Sequence, residues 1–170
     1  MNQKEFAIFT MALKTYYPRE QLLPNKQAAD LWFKQLEDIP YDVAEIALNK
    51  WVATQKWSPS IAEIRAKARE VVFGETKDYG KAWEEVMAAV REFGQNRALE
   101  ALASLDELTR EATKRIGFRN ICNSENLMAD RANFRMIYEE LAARKNENDQ
   151  IPQFIKTRIE AVAKQKRLEG

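Results

Sequence analysis

Residues 50–65 (KWVATQKWSPSIAEIR) constrain the fold more than any other stretch, because they end one helix and begin the next. Trp57 stands directly before the tripeptide Ser58-Pro59-Ser60. Serine caps the free N–H groups at a helix start, and proline suits the first helical turn. The pattern predicts a sharp corner between two helices that pack against each other.

The start of the second helix of this corner can be placed in two ways. Ser60 and Glu63 have the spacing of a capping box, while Ser58 precedes the proline. Either serine is therefore a candidate N-cap, and the sequence does not decide between them. We interpret Trp51, on an apolar stripe, and Trp57, beside the turn, as core anchors that set the angle between the two helices.

The first 73 residues predict a bundle of four amphipathic helices. In each, apolar side chains recur three or four residues apart, which is the period of a helix with one buried face. Pro18 ends the first helix, Asn25 offers a cap for the second, and Pro40 opens the third. The four stripes are Phe6, Phe9, Leu13 and Tyr16; Ala28, Leu31, Trp32 and Leu36; Val43, Ala44, Ala47, Leu48 and Trp51; and Ile61, Ile64, Ala68 and Val71.

Residues 74–80 (GETKDYG) are polar, carry a glycine at each end and lack a period, so we predict a linker there. A simple loop inside one bundle is the alternative. Residues 81–145 predict a smaller helical domain, in which Gly94 ends one helix, Asp106 or a neighbour starts another, and Asp130 caps a third. Its apolar stripes comprise Trp83, Val86, Met87, Val90 and Phe93; Leu99, Leu102 and Leu105; Leu108, Ala112 and Ile116; and Phe134, Ile137, Tyr138 and Leu141.

Residues 146–170 predict a polar spacer followed by a basic amphipathic tail helix that begins near Pro152. A short helix behind a spacer buries little in its own domain, so its apolar stripe is a candidate docking surface for a partner. Docking back on its own bundle is the alternative. The candidate partner-binding residues are Phe154, Ile155, Arg158, Ile159, Val162, Lys164, Lys166 and Arg167. No strand pattern is present, and the predicted fold class is all-α.

The composition argues against an enzyme. The 170 residues include no histidine and one cysteine, and no phosphate-binding glycine loop occurs. Adjacent acidic pairs such as Glu84-Glu85 point about 100° apart on a helix, so they do not converge on a metal. Cys122 is interpreted as a small buried hydrophobe. We therefore expect no cofactor and no metal. Because no apolar run approaches a membrane span and no signal peptide begins the chain, we also expect a soluble cytoplasmic protein that contacts no membrane.

One set of basic residues is interleaved with aromatic residues, as in nucleic-acid contacts. The net charge is only +1, so such contact would depend on a local patch. Phe118 and Phe134 also fall on apolar stripes, and a packed core with an arginine rim is the favoured interpretation. The possible DNA-contact rim consists of Lys114, Arg115, Arg119, Arg131 and Arg135.

In the order and spacing of its motifs, the N-terminal part resembles the replicative-helicase loader/inhibitor proteins of phages of Gram-positive bacteria. The resemblance is carried by Glu5-Phe6-Ala7-Ile8-Phe9, Tyr16-Tyr17-Pro18, Leu31-Trp32-Phe33 with Leu36, Ile39-Pro40-Tyr41, Ala47-Leu48-Asn49-Lys50-Trp51 and residues 57–65. The second part looks like the helical C-terminal region that accompanies this domain in phage and prophage proteins, through Ala82-Trp83-Glu84-Glu85-Val86, Gly117-Phe118-Arg119, Ser124-Glu125-Asn126 and residues 134–139.

The resemblance implies a non-enzymatic adaptor of phage DNA replication in the host cytoplasm. Such proteins bind the hexameric ring of the replicative helicase, restrain it, and deliver it to origin DNA marked by an origin-binding replication protein. In the family the C-terminal part engages the helicase, often as a flexible segment. Here the second part has enough apolar periodicity to fold, so we place the flexible piece at about residues 145–170 and transfer no contact residue by position. Direct nucleic-acid binding and a structural interaction module are the alternative functions.

Overall fold

A computed structural model describes the backbone of residues 1–169 and the side chains of residues 1–167. This part of the chain forms ten α-helices, one 3₁₀ turn at Gln95–Arg97 and no strand, which confirms the all-α prediction. The helices are α1 (Gln3–Tyr16), α2 (Lys26–Leu36), α3 (Tyr41–Thr54), α4 (Ile61–Phe73), α5 (Tyr79–Phe93), α6 (Ala98–Ser104), α7 (Glu107–Ile116), α8 (Phe118–Cys122), α9 (Leu127–Gln150) and α10 (Gln153–Glu169). Gly170, the end of the predicted tail segment, lies outside the described residues.

The chain divides into two compact units. The first contains Met1–Gly74 together with the segment that begins at Asn148, and the second is Glu75–Glu147. Helix α5 begins inside the stretch predicted as a linker, because the Asp78 carboxylate accepts a hydrogen bond from the Gly80 N–H at 2.6 Å and caps the helix. The non-helical connection is therefore shorter than the sequence pattern suggested.

The core of the first unit is built from the predicted stripes of α1 to α4. Phe6, Phe9 and Leu13 are the buried side chains of α1, and the Phe6 ring meets the Phe33 ring edge-on with centroids 5.4 Å apart. The other buried apolar residues are Tyr17, Leu36, Ile39, Ala44, Ala47, Leu48, Ile64 and Ala68. Apolar burial of this kind is the main force that holds short helices together.

Ser60 is the N-cap of α4. Its hydroxyl accepts from the Glu63 N–H at 3.3 Å, and the Glu63 carboxylate accepts from the Ser60 N–H at 2.7 Å. This is the reciprocal pattern of a capping box, so the choice that the sequence left open falls on Ser60. Ser58 has a different role, because its N–H and hydroxyl both donate to the carboxylate of Glu20.

The prediction that Trp57 is a core anchor is wrong. Its side chain is 70% exposed, whereas Trp51 is half-buried against the core of the first unit. The reason is that Trp57 lies in the loop after α3, beyond the last residue that follows the helical period. Tyr16 and Leu31, which the sequence placed on buried stripes, are also exposed.

The second unit has its own core around Trp83, Phe134 and Tyr138. The Trp83 and Phe134 ring centroids are 5.3 Å apart, and those of Phe134 and Tyr138 are 5.5 Å apart. Phe118 is buried in the same cluster, which confirms that Phe118 and Phe134 are core residues. The Tyr138 hydroxyl donates to the Lys77 carbonyl oxygen at 2.9 Å, so the phenolic hydroxyl of this aromatic group is also satisfied.

Helix α9 is longer than the sequence pattern predicted. Asn126, not Asp130, caps it, since the Asn126 side chain accepts from the Ala129 N–H at 3.1 Å. The polar stretch predicted as a spacer continues the helix to Gln150. In the second unit Lys145 pairs with Glu107 at 2.6 Å, and in the first unit Asp149 lies 3.4 Å from the Arg69 Nε. Polar contacts therefore hold a segment that has too few apolar residues to pack by burial.

Candidate functional site

The main candidate site is a cleft in the first unit, which we call the aromatic cleft. It lies where the end of α1 and the turn after it meet the loop between α3 and α4, and it has a volume of about 390 Å³. That size lies within the range of small-ligand pockets. Its lining residues are Tyr16, Tyr17, Pro18, Arg19, Glu20, Lys56 and Trp57.

Hydrogen bonds on both sides of Trp57 fix the backbone of the loop. The Trp51 indole Nε1 donates to the Trp57 carbonyl oxygen at 2.9 Å. The next residue, Ser58, donates its N–H to a Glu20 carboxylate oxygen at 3.1 Å and its hydroxyl to the other oxygen. The Tyr17 hydroxyl donates to the Gln55 carbonyl oxygen at 3.4 Å. The loop is thus tied both to α3 and to the turn after α1.

The Trp57 side chain projects from this fixed backbone into solvent. Lys56 lies over one face of the indole, with its Nζ 5.6 Å from the ring centroid. Tyr16, a second aromatic residue of the lining, is also exposed. Tryptophan and tyrosine carry much of the free energy in protein interfaces, and a fixed backbone lowers the entropy lost on binding. The cleft is therefore suited to binding rather than to acid–base chemistry.

The charged residues of the aromatic cleft differ in whether they already have a polar partner. Both oxygens of the Glu20 carboxylate accept hydrogen bonds from Ser58, so this anion is already satisfied. Arg19 and Lys56 are exposed at the rim, and among the described residues neither has an ion pair. Burial, and then the nearby Glu20 carboxylate, raise the pKa of the Tyr17 phenol, which stays neutral at physiological pH. The cleft therefore offers two exposed positive charges beside its aromatic side chains.

Sequence reasoning missed this cleft. The available signal was the position of Trp57, which falls in a polar loop before Ser58-Pro59 and off the stripe that contains Trp51. A tryptophan in a loop can lie under the chain or outside it, and only the packing around the loop decides between these two positions. The cleft joins two distant segments of the chain, and the Glu20–Ser58 hydrogen bond that ties them together links residues 38 positions apart.

The predicted partner-binding tail occupies α10, and its residues separate into two groups. Phe154 and Ile155 are half-buried, and the Lys34 Nζ lies 5.0 Å from the Phe154 ring centroid. Ile159 and Val162 are 55% and 50% exposed. The basic residues Arg158, Lys164, Lys166 and Arg167 are exposed as well. The first turn of α10 therefore packs on the bundle, as the alternative expectation held, while the rest presents an apolar and basic face to solvent.

A buried arginine fastens the start of this tail to the first unit. The Arg65 Nε donates to the Gln150 carbonyl oxygen, and its Nη atoms bind the Asp38 carboxylate. Asp38 also accepts from the Gln153 N–H at 3.0 Å, at the first residue of α10. Burial raises the pKa of the Asp38 carboxyl, but the hydrogen bonds from Arg65 and Gln153 outweigh this, and its pKa lies below the ordinary value. Asp38 is therefore charged at neutral pH.

The predicted DNA-contact rim lies on three helices of the second unit, and all five of its residues are exposed. Lys114 and Arg115 lie on α7, Arg119 on α8, and Arg131 and Arg135 on α9. Two of them already have partners on their own helices: Arg115 pairs with Glu111 at 3.7 Å and Arg135 with Glu139 at 2.9 Å. These pairs weaken the rim as a site for phosphate.

Residues 1–169 give little support to metal binding, to a reactive thiol or to a membrane-spanning helix. In that range no group of three or more His, Cys, Asp or Glu side chains is placed to hold a metal ion. Cys122 is half-buried, and burial raises the pKa of its thiol, so the less reactive protonated form is favoured. None of the helices in the described part of the chain has the length and apolar character needed to cross a membrane.

The all-α first unit, with its capped corner at Ser60 and its aromatic cleft, is similar to the class of helical domains found in phage helicase loader/inhibitor proteins. Within that class, residues 1–65 match the family model for the N-terminal domain of the helicase loader/inhibitor of phage SPP1. The match covers α1 to α3, the start of α4 and every residue of the aromatic cleft. No curated protein and no solved structure matches the chain.

Proposed function

We propose that this chain is a non-enzymatic adaptor of phage DNA replication that binds the replicative helicase, restrains it and helps to load it at the origin. The observation that carries the proposal is the match of residues 1–65 to the N-terminal domain of the phage SPP1 helicase loader/inhibitor. An origin-binding replication protein is the second proposed partner, and the host cytoplasm is the proposed location.

Binding energy alone must drive such an adaptor, because the sequence contains no nucleotide-binding loop. A protein that binds two states of a ring with equal affinity shifts nothing. The adaptor must therefore prefer one state of the helicase, and a preference for an inactive or opened ring would account for both restraint and loading.

The exposed face of α10 is the proposed helicase-binding surface. It joins apolar side chains, Ile159 and Val162, to basic side chains within a single helix. An amphipathic helix of this kind can enter an apolar groove on a partner. In this proposal Phe154 and Ile155 hold the start of α10 on the bundle. Both are half-buried, and the Phe154 ring meets Lys34 of the first unit.

The test is a pull-down of the replicative helicase by the full-length chain, with the helicase ATPase rate measured in parallel. We expect a stable complex and a lower ATPase rate. The double variant Ile159→Asp with Val162→Asp should lose both effects. Leu99→Asp, which changes an exposed apolar residue in the second unit, is the matched control and should retain them. If the unmodified chain does not bind the helicase, the proposed function is wrong.

Direct DNA binding is the second candidate, and the solvent access of the five rim residues favours it. Phosphate contacts weaken steeply with added salt. Fluorescence anisotropy with labelled duplex DNA over a salt series would detect such binding. A double variant, Lys114→Glu with Arg119→Glu, should abolish a real interaction, whereas salt-independent or undetectable binding would exclude it.

A further inference from the structure

We propose that the aromatic cleft binds a short, extended and acidic segment of a partner protein, with an apolar side chain of that segment placed against the Trp57 indole. This inference does not depend on helicase binding. It rests on the shape of the cleft, the fixed loop and the charges at the rim.

The Trp57 side chain gives the cleft a large apolar surface that is not buried in the core of the first unit. Trp57 is exposed although its own carbonyl oxygen and the next residue are both held by hydrogen bonds. These bonds fix the backbone of the loop, and the ring is 70% exposed on it. Exposed aromatic residues that stand on a fixed backbone are typical anchors for a partner side chain.

The dimensions limit the occupant to something narrow. A volume of about 390 Å³ holds one or two side chains with their backbone, not a packed helix or a folded domain. Pro18 and Tyr16 line the same cleft as Trp57, and aromatic-lined grooves commonly bind extended or proline-containing segments.

The charges select an acidic segment. Arg19 and Lys56 have no ion pair among the described residues, while Glu20, the one acidic residue of the lining, is occupied by Ser58. A carboxylate of the partner on either side of its apolar residue would reach these two cations at the rim. Complementary charges of this kind raise the rate of association and the specificity of a contact.

Single-stranded nucleic acid is the less favoured occupant. Stacking on Trp57 and Tyr16 would suit bases, but a phosphate chain needs a longer row of cations than Arg19 and Lys56 provide. No observation on the described residues favours a second copy of the chain as the occupant of the cleft.

The experiment is a selection of random short peptides, displayed on phage, against the full-length chain, with counter-selection against Trp57→Ala. The recovered peptides should be acidic with an apolar residue, and synthetic copies should bind by fluorescence anisotropy. We expect affinity to fall about tenfold or more in Trp57→Ala, which removes the anchor. Lys56→Glu should weaken it about threefold and more at low salt, since it reverses a rim charge.

Two controls separate a site effect from misfolding. Leu99→Ala removes an exposed apolar side chain of the second unit and should leave peptide affinity unchanged. Circular dichroism should show that Trp57→Ala keeps its helices, because the lost ring is exposed; if it does not, Lys56→Glu alone decides.

Three results would overturn the proposal. They are the recovery of no peptide that depends on Trp57, the recovery of basic peptides only, and tighter Trp57-dependent binding of an oligo-dT strand than of any selected peptide. Trp57-dependent self-association in sedimentation experiments would also replace the proposed occupant with a second copy of the chain.

Discussion

The Arg65 guanidinium binds both carboxylate oxygens of Asp38, with Nη1 2.7 Å from Oδ1 and Nη2 2.9 Å from Oδ2. Arg65 is only 7% exposed, and its remaining donors reach the carbonyl oxygens of Gln35 and Gln150. One buried side chain therefore links α4, the end of α2, the turn that precedes α3 and the end of α9 within the first unit.

Replacing Arg65 should destabilise the first unit strongly. Arg65→Ala leaves Asp38 as a partly buried charge and frees two carbonyl oxygens, so we expect a loss of about 3–5 kcal/mol in the free energy of unfolding. Arg65→Lys keeps the charge but not the two-pronged geometry, and about 2 kcal/mol should be lost. Urea unfolding followed by circular dichroism measures both values. Lys67→Ala, which breaks a more exposed pair with Glu70, should cost less than about 1 kcal/mol; an equal cost would contradict the assigned role.

Asp106 should make the stability of the second unit depend on acid pH. Burial raises its pKa, but hydrogen bonds from Lys77 and Thr109 prevail and lower the pKa to about 2. A lowered carboxyl pKa adds stability above the unfolded-state value of about 4, and this stability is lost as the pH falls towards about 2. Because Asp106 is partly exposed, solvent screening limits the contribution to about 1 kcal/mol.

The measurement for Asp106 is urea unfolding of the unmodified chain and of Asp106→Asn between neutral pH and about pH 2. The two chains should differ at neutral pH and converge in acid, because protonation removes the same charge. Glu100→Gln, in a well-exposed pair with Arg97, should show no such convergence. A difference that persists unchanged in acid would rule out the electrostatic cause.

A side chain at Gly117 should be costly. It ends α7 with a φ of +95°, and a Cβ there would lie 2.7 Å from the Asn120 Nδ2. We expect Gly117→Ala to lower the free energy of unfolding by about 1–3 kcal/mol, since L-residues rarely adopt this backbone conformation. Gly80, in the first turn of α5, has no positive φ, and a Cβ there would lie 3.2 Å from the capping Asp78 Oδ1, so Gly80→Ala should cost clearly less than Gly117→Ala. Thermal unfolding of the two variants tests the contrast.

Phe134 should be the most sensitive position of α9. It is fully buried between Trp83 and Tyr138, whereas Met136, two residues along the same helix, is 65% exposed. Phe134→Ala should cost about 3–5 kcal/mol through the cavity that it leaves. Met136→Ala should change stability by less than about 0.5 kcal/mol. Similar losses in denaturant unfolding would show that the aromatic group does not hold this core.

Local patterns in the sequence predicted most of the helices because their determinants lie within a few residues. The caps at Asn25, Ser60 and Asp106 satisfy N–H groups two or three residues away, and the apolar stripes of α1 and α5 follow the 3.6-residue period. The motifs that resemble helicase loader/inhibitor proteins likewise lie in residues 1–65, where the family model matches.

Predictions failed where a distant partner decides the structure. The polar end of α9 is helical because Glu107 pairs with Lys145 and Arg69 lies beside Asp149, and no local pattern reports such contacts. The predicted cap of α9 was Asp130, and the observed cap is Asn126. Both side chains can accept a hydrogen bond from a backbone N–H, and only the path of the chain selects one of them.

The sequence by itself therefore determined the all-α class, most of the helix starts and the presence of a corner at residues 58–60, because these depend on the period of apolar residues and on hydrogen bonds between near neighbours. Only the tertiary structure decided that Trp57 faces solvent. Glu20, 38 residues away from Ser58, holds the loop from the far side of the cleft. The Trp51 indole donates to the Trp57 carbonyl oxygen, and these bonds hold the loop so that a residue expected in the core lines the aromatic cleft instead.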